Sequence, residues 1–225
     1  FWDWSGVVAS KKGTTVVDDP SLLPGAKWFP EARLNFAENL MKRGDRGDAI
    51  VFWDESGFRR RLSYSDLHTD VSRAAKALAQ LGIRPGDRVA AFIPHMPETM
   101  VLALAAISLG AVWSSCSPDF GTDGVLERFG QTEPKVLFCA DGYRYAGKAH
   151  DTLGRAAEIA AQLPKLRKVV VVPHLAAKPD VSDIPKAVRY DDWLAPHQAG
   201  AIRSEEHTSE LQSRLHLVSR LLLEK

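Results

Sequence analysis

A run of eight residues, Gly142-Tyr143-Arg144-Tyr145-Ala146-Gly147-Lys148-Ala149, carries the spacing with which a glycine-rich loop and its lysine grip phosphates. Ala149 replaces the Ser or Thr whose hydroxyl would hold Mg²⁺ in that pattern. Tyr143, Arg144 and Tyr145 fill with side chains a stretch whose backbone N–H groups should wrap the phosphates. The run follows an apolar strand and opens a predicted helix, so free N–H groups and a partial positive charge would face an anion there. Arg144 and Lys148 add two full charges. From spacing alone, a solvated basic pair on a surface loop is the favoured reading, and only the resemblance given below turns it toward ligand binding. Arg144, Gly147 and Lys148 are the candidate ligand-binding residues, and no residue is assigned a catalytic or metal-binding role.

Other chemistry-bearing residues lack the spacing their chemistry needs. His68, His95, His150, His174 and His197 stand at no metal-ligand interval from one another or from the cysteines. Ser114, Ser115 and Ser117 lack the strand-turn-helix elbow of a hydrolase nucleophile. No G-x-G-x-x-G occurs, which argues against a dinucleotide-dependent dehydrogenase. Cys116 and Cys139 lie in apolar runs and read as reduced core thiols, which points to the cytoplasm. With 29 basic against 28 acidic residues, a net charge of +1 gives no field to hold a polyanion, so nucleic acid and anionic membrane are excluded as main partners. Small molecules remain.

The elements that would position the 142–149 run alternate. An aromatic-rich lead-in, 1–48, holds a short helix over 33–41. Runs at 49–53 and 58–63 form a hairpin turning at Glu55-Ser56-Gly57. Ser63 and Asp66 make a capping box for a helix with Leu67, Val71, Ala74, Ala75, Leu78 and Leu81 on its apolar face, stopped at Gly82. Strands then follow at 88–94, 111–116, 135–140 and 168–172, separated by helices at 97–109, 124–131 and 148–163. A short strand is expected at 188–190. Strands apolar on both faces, spaced by helices, mean α/β architecture: a parallel sheet with helices on both faces and right-handed crossovers. The long uncharged run between Glu98 and Asp119 is broken by Gly110 and serines, and reads as helix plus strand instead of a bilayer span.

Residues 203–225 change character, with no Gly, Ala or Pro. RSEEHTSELQS is what a common short-read sequencing adapter encodes in one frame, so 203–225 is read as non-native. An amphipathic helix through Leu211, Leu215, Val218 and Leu222 is the alternative. No initiator Met or signal peptide opens the chain. Together these features lead us to expect the front of a longer enzyme.

Three segments carry a resemblance: WFPEARLNFAENL from Trp28, LSYSDLHTDVSRAAKALAQLGIRPGDRVAAFIPHMPE from Leu62, and GAVWSSCSPDFGTDGVLERFGQTEPKVLFCADG from Gly110. They resemble the front of acyl-CoA synthetases of the adenylate-forming superfamily, most nearly its acetoacetyl-CoA synthetases, over roughly residues 1–200. The resemblance implies a partial N-terminal domain over 49–202. It further implies ATP, Mg²⁺ and CoA as the parent's cofactors and acetoacetate or a similar short carboxylate as its substrate. The family's Ser/Thr/Gly-rich loop, its aromatic-Thr-Glu motif, its ribose-binding Asp and its C-terminal-domain Lys lie in later segments, so the chain alone is expected to be inactive and its partner is the remainder of its own polypeptide. By resemblance, Arg144 and Lys148 match two basic positions that contact the nucleotide end of CoA, with one extra residue between them and Lys in place of the second Arg. Ser117-Pro118-Asp119 aligns with a Gly-rich loop near the thioester tunnel, though none of its residues is Gly. A self-contained phosphate-binding or P-loop-like NTPase module using the 142–148 loop stays open as the alternative.

Overall fold

A computed structural model describes residues 1–22, 24–201 and 207–208, and divides into two compact units, Phe1–Lys42 with Ser204–Lys225, and Arg43–Arg203. In the first unit β1 (Arg33–Leu34) precedes α1 (Phe36–Leu40). The helix is shorter than the expected 33–41 because Asn35 caps it, its side chain accepting from the N–H groups of Ala37 and Glu38. Much of this unit is irregular chain held by side chains. The Glu31 carboxylate accepts from Thr14 N–H and Thr15 Oγ1, both at 2.9 Å. The Asn39 amide bonds both backbone groups of Val8, at 2.9 and 2.8 Å. The amphipathic helix weighed for 211–222 lies outside the described residues; within 203–225 only β11 (His207–Thr208) is described, antiparallel to β1.

The second unit opens with the hairpin of β2 (Asp48–Asp54) and β3 (Gly57–Ser63) and continues into α2 (Tyr64–Gln80). Ser63 and Asp66 form the expected capping box. At the far end Gly82 N–H donates to Ala79 O and Ile83 N–H to Leu78 O, a paired closure that satisfies the last carbonyls. There follow β4 (Arg88–Phe92), α3 (Pro97–Ser108), β5 (Val112–Cys116), α4 (Thr122–Thr132) and β6 (Val136–Ala140). Next come β7 (Gly142–Tyr145), β8 (Lys148–Asp151), α5 (Leu153–Gln162), β9 (Lys168–Val172), β10 (Ala187–Arg189) and α6 (Tyr190–Leu194).

Five strands make one parallel sheet in the order β10-β9-β6-β4-β5. Alternate residues feed its two faces. Ala90, Phe92, Leu137, Cys139, Val169 and Val171 pack with Val125 and Phe129 of α4 and Ala156 and Ile159 of α5. From the opposite face Phe138 meets Trp193 of α6, ring centroids 5.5 Å apart. The central β6 is fully buried. The chain reverses its direction of travel across the sheet between β4 and β6. In open α/β sheets the carboxyl ends of the strands flanking such a reversal frame the ligand crevice.

One expectation fails here. The helix read as 148–163 begins at Leu153, and the residues before it form an antiparallel hairpin, β7 with β8. Sequence reasoning also passed over α6.

Candidate functional site

The β7–β8 hairpin springs from the carboxyl end of β6, beside the reversal point. Its base is tied down by a residue the sequence reading passed over. Asp141 is only 3% exposed, and its carboxylate accepts backbone N–H groups from His174 at 2.7 Å, Leu175 at 2.9 Å and Ala176 at 2.7 Å, all in the loop after β9. Thr152 adds its N–H to Asp141 O and its hydroxyl to Ala140 O, at 3.2 and 2.8 Å. Gly142 is needed for close approach: a Cβ there would lie 2.3 Å from Leu175 Cδ1 and 2.4 Å from His150 O.

At the tip, Ala146 and Gly147 form the two-residue turn with φ of 53° and 73°, the left-handed pair that matches strand twist. Ala146 is a costly residue for that conformation. The N–H groups of Ala146 and Gly147 are taken by the carboxylate of Glu55, one per oxygen, at 2.8 and 2.9 Å. Those two bonds, Gly147's first, hold the Glu55 carboxyl below its usual range.

These observations correct the anion argument. The 142–149 run opens no helix, so no helix terminus faces a ligand there, and the turn amides of a phosphate loop already carry a carboxylate. The P-loop-like module thereby loses its physical basis. Arg144 and Lys148 are both exposed, and among the described residues neither makes an ion pair or side-chain hydrogen bond. Register separates them. Arg144 pairs with Ala149 and Tyr145 with Lys148, so the two basic side chains leave opposite faces of the hairpin. Tyr143 and His150 stack on the Lys148 face, centroids 5.0 Å apart and planes at 15°. The arrangement offers an anion one unpaired guanidinium on one face and one ammonium on the other, on a stiffened finger. Ser117, Pro118 and Asp119 lie at the carboxyl end of edge strand β5, separated from β6 by β4.

A cavity of about 460 Å³ is lined by Arg60, Asp70, Arg73, Glu98, Tyr190 and Asp191 together with apolar residues, near the carboxyl end of β9 and the start of α3. No sequence signal marked it. Arg60 pairs with Glu98, and Arg73 donates to His197 O and Leu194 O at 3.0 and 3.2 Å. Burial pushes up both the Asp70 carboxyl and the Tyr190 hydroxyl. Two guanidinium groups face three carboxyl groups, those of Asp70, Glu98 and Asp191, so this cavity offers a phosphate no excess of positive charge.

Cys116 and Cys139 are free and buried, and burial pushes the Cys139 thiol up to about 12. Among the described residues no three His, Cys, Asp or Glu side chains are grouped to hold a metal ion, and no helix is long and apolar enough to cross a membrane.

The sequence matches the AMP-binding enzyme family over residues 36–211. Acetoacetyl-coenzyme A synthetase of Rhizobium meliloti (strain 1021) is 43% identical over 202 residues, 89% of this chain and 31% of that protein. Acetoacetyl-CoA synthetase of Xenopus tropicalis is 38% identical over 204 residues, 88% of this chain and 30% of that one. Among solved structures, acetoacetyl-CoA synthetase from Streptomyces lividans superposes with a TM-score of 0.82 at 36% identity, covering 92% of this chain and 31% of that chain. The chain thus spans about a third of the length of the relatives it matches, and what it shares with them includes the five-stranded parallel sheet and its flanking helices. A match over most of its residues, with a parallel sheet that superposes on a solved relative, makes this chain a member of the AMP-binding enzyme family.

Proposed function

We propose that this chain is the front portion of an acid–thiol ligase that converts acetoacetate, ATP and CoA to acetoacetyl-CoA, AMP and pyrophosphate. The observation that carries the reading is identity of 43% and 38% to two enzymes named for that product, spread over nearly nine-tenths of the chain. In this reading ATP with Mg²⁺ activates the carboxylate as an acyl-adenylate, using residues of the parent outside this chain. The part assigned to the chain itself is recognition of CoA. Arg144 supplies a charge-assisted contact to a phosphate at the nucleotide end, and Lys148 on the other face supplies a lesser one. Gly147 completes the turn between them. Exposed, unpaired cations on a finger beside the sheet's reversal point fit a polyphosphate ligand. Residues 203–225 are taken as non-native in the same reading. The two reduced thiols suit a cytoplasmic setting, where reducing conditions prevail.

The test has two arms. The chain alone releases no acetoacetate-dependent pyrophosphate from ATP. Joined to the rest of its parent, Arg144→Ala raises KM for CoA and leaves acetoacetate-dependent pyrophosphate exchange unchanged. Pyrophosphate release by the chain alone, or CoA kinetics indifferent to Arg144, overturns the reading.

A further inference from the structure

Ala146 sits in a left-handed conformation at the tip of an exposed two-residue turn, which a lone hairpin would leave only marginally held. What holds it comes from far away in the chain. Glu55, 91 residues earlier, caps both turn amides with its two carboxylate oxygens. Its own turn is locked as well, since the Asp54 carboxylate accepts from Ser56 N–H at 2.8 Å, Ser56 Oγ at 2.6 Å and Arg59 Nε at 2.6 Å. The tips of two hairpins, β2–β3 and β7–β8, are therefore joined by one bidentate contact.

We propose that Glu55 is a positioning residue for CoA: by accepting both turn amides it fixes the hairpin tip and with it the face from which Arg144 reaches a phosphate. The inference rests on the CoA reading of the hairpin given above. Arg144 lies two residues before Ala146, in the last pairs of the ladder, so its direction depends on the turn staying closed. Glu55 also decides which groups an anion can use. With the amides occupied, a phosphate at the tip is left to the side chains, and selectivity passes to Arg144 and Lys148. Freed of Glu55, the tip would sample other conformations, and apparent affinity falls by the fraction of time it spends in the competent one. If that fraction drops to between a third and a tenth, CoA binding weakens about three- to tenfold.

The experiment uses the 225-residue chain, with CoA binding measured by calorimetry and hydrogen exchange of the Ala146 and Gly147 amides measured by NMR. Wild type is expected to protect both amides and to bind CoA. Glu55→Ala is expected to lose that protection and bind CoA about three- to tenfold more weakly, with its melting temperature unchanged because the contact is on the surface. Glu55→Gln, which retains one acceptor oxygen, is expected to fall between the two. Unprotected amides in wild type overturn the clamp. Lost protection with unchanged CoA affinity overturns the positioning role, and tighter CoA binding by Glu55→Ala does so too, by revealing competition between carboxylate and phosphate for the turn. If the amides behave as expected but wild type binds no CoA, the CoA reading falls and takes the positioning role with it, while the hairpin contact stands.

Discussion

Gly142→Ala probes the joint between the sheet and the hairpin. The added methyl would meet two atoms, Leu175 Cδ1 at 2.3 Å and His150 O at 2.4 Å. The first can swing aside, being the end of a flexible side chain. The second belongs to the opposing strand, which is held by the Gly142–Asp151 pairing and by Thr152 bonded to Asp141 O. Ordinary carbon–oxygen contacts lie near 3.3 Å, so the strands must part by roughly 1 Å. Overpacking of this kind costs about 1–3 kcal/mol, and the backbone contact places this case in the upper half. Replacing Gly removes unfolded-state freedom, which returns about 0.4–1 kcal/mol. A net loss of about 1–2.6 kcal/mol should lower the melting temperature by roughly 2–10 °C in a chain of this size. Calorimetry and urea denaturation measure it, and the amides of Ala146 and Gly147 should shift because the strand leading to them has moved. Leu175→Ala in the same background should recover only the side-chain share, a coupling of about 0.5–1 kcal/mol. Wild-type stability with unmoved hairpin amides in Gly142→Ala would refute the close-packed joint.

Further outcomes are expected elsewhere. In the full-length parent, Arg144→Ala should raise KM for CoA about tenfold, one charge-assisted contact, with Lys148→Ala smaller and in the same direction; steady-state kinetics at varied CoA decides. Cys139 should resist alkylation in the native protein up to pH 10 and react at once in urea, because its thiol stays protonated to about 12. Its raised pKa also makes the native state hold a proton that the unfolded chain loses near 9.0, so stability should fall as pH rises through that window and fall less in Cys139→Ala, as urea titrations would report. Removing residues 203–225 should leave CoA affinity unchanged, and a loss of binding would contradict the assignment of that tail as non-native.

The parallel sheet was legible because its strands are apolar on both faces: Lys168–Val172 reads KVVVV and Val136–Ala140 reads VLFCA, patterns that only a doubly covered strand tolerates. Ser63 with Asp66 announced α2 for an equally local reason. The 142–151 stretch misled because its hairpin packs little apolar surface and turns on Ala-Gly, not on the Asn-Gly that advertises such a turn. Thr152 at the true helix start was the signal available, with Asp151 accepting from Leu153 N–H at 2.9 Å. Arg144 and Lys148 could be picked out by type, but which face each occupies depends on register, and register was hidden while the segment was read as loop and helix. Glu55 and Asp141 act through partners 91–92 and 33–35 residues away, beyond any spacing argument. The cavity around Glu98 and Tyr190 is likewise assembled from separate elements, β3, α2, α3 and α6.

The strand order β10-β9-β6-β4-β5 has a consequence for synthesis. Strand β5 pairs with β4, β6 with β4, β9 with β6 and β10 with β9, so each strand after β4 finds a partner already made as it leaves the ribosome. Only β4, the first made, waits for a strand encoded later. At translation rates of about 5–20 residues per second, each new strand has seconds in which to dock before the next emerges. The sheet can therefore close in the order in which it is written, and whatever is translated after β10 meets a surface already formed.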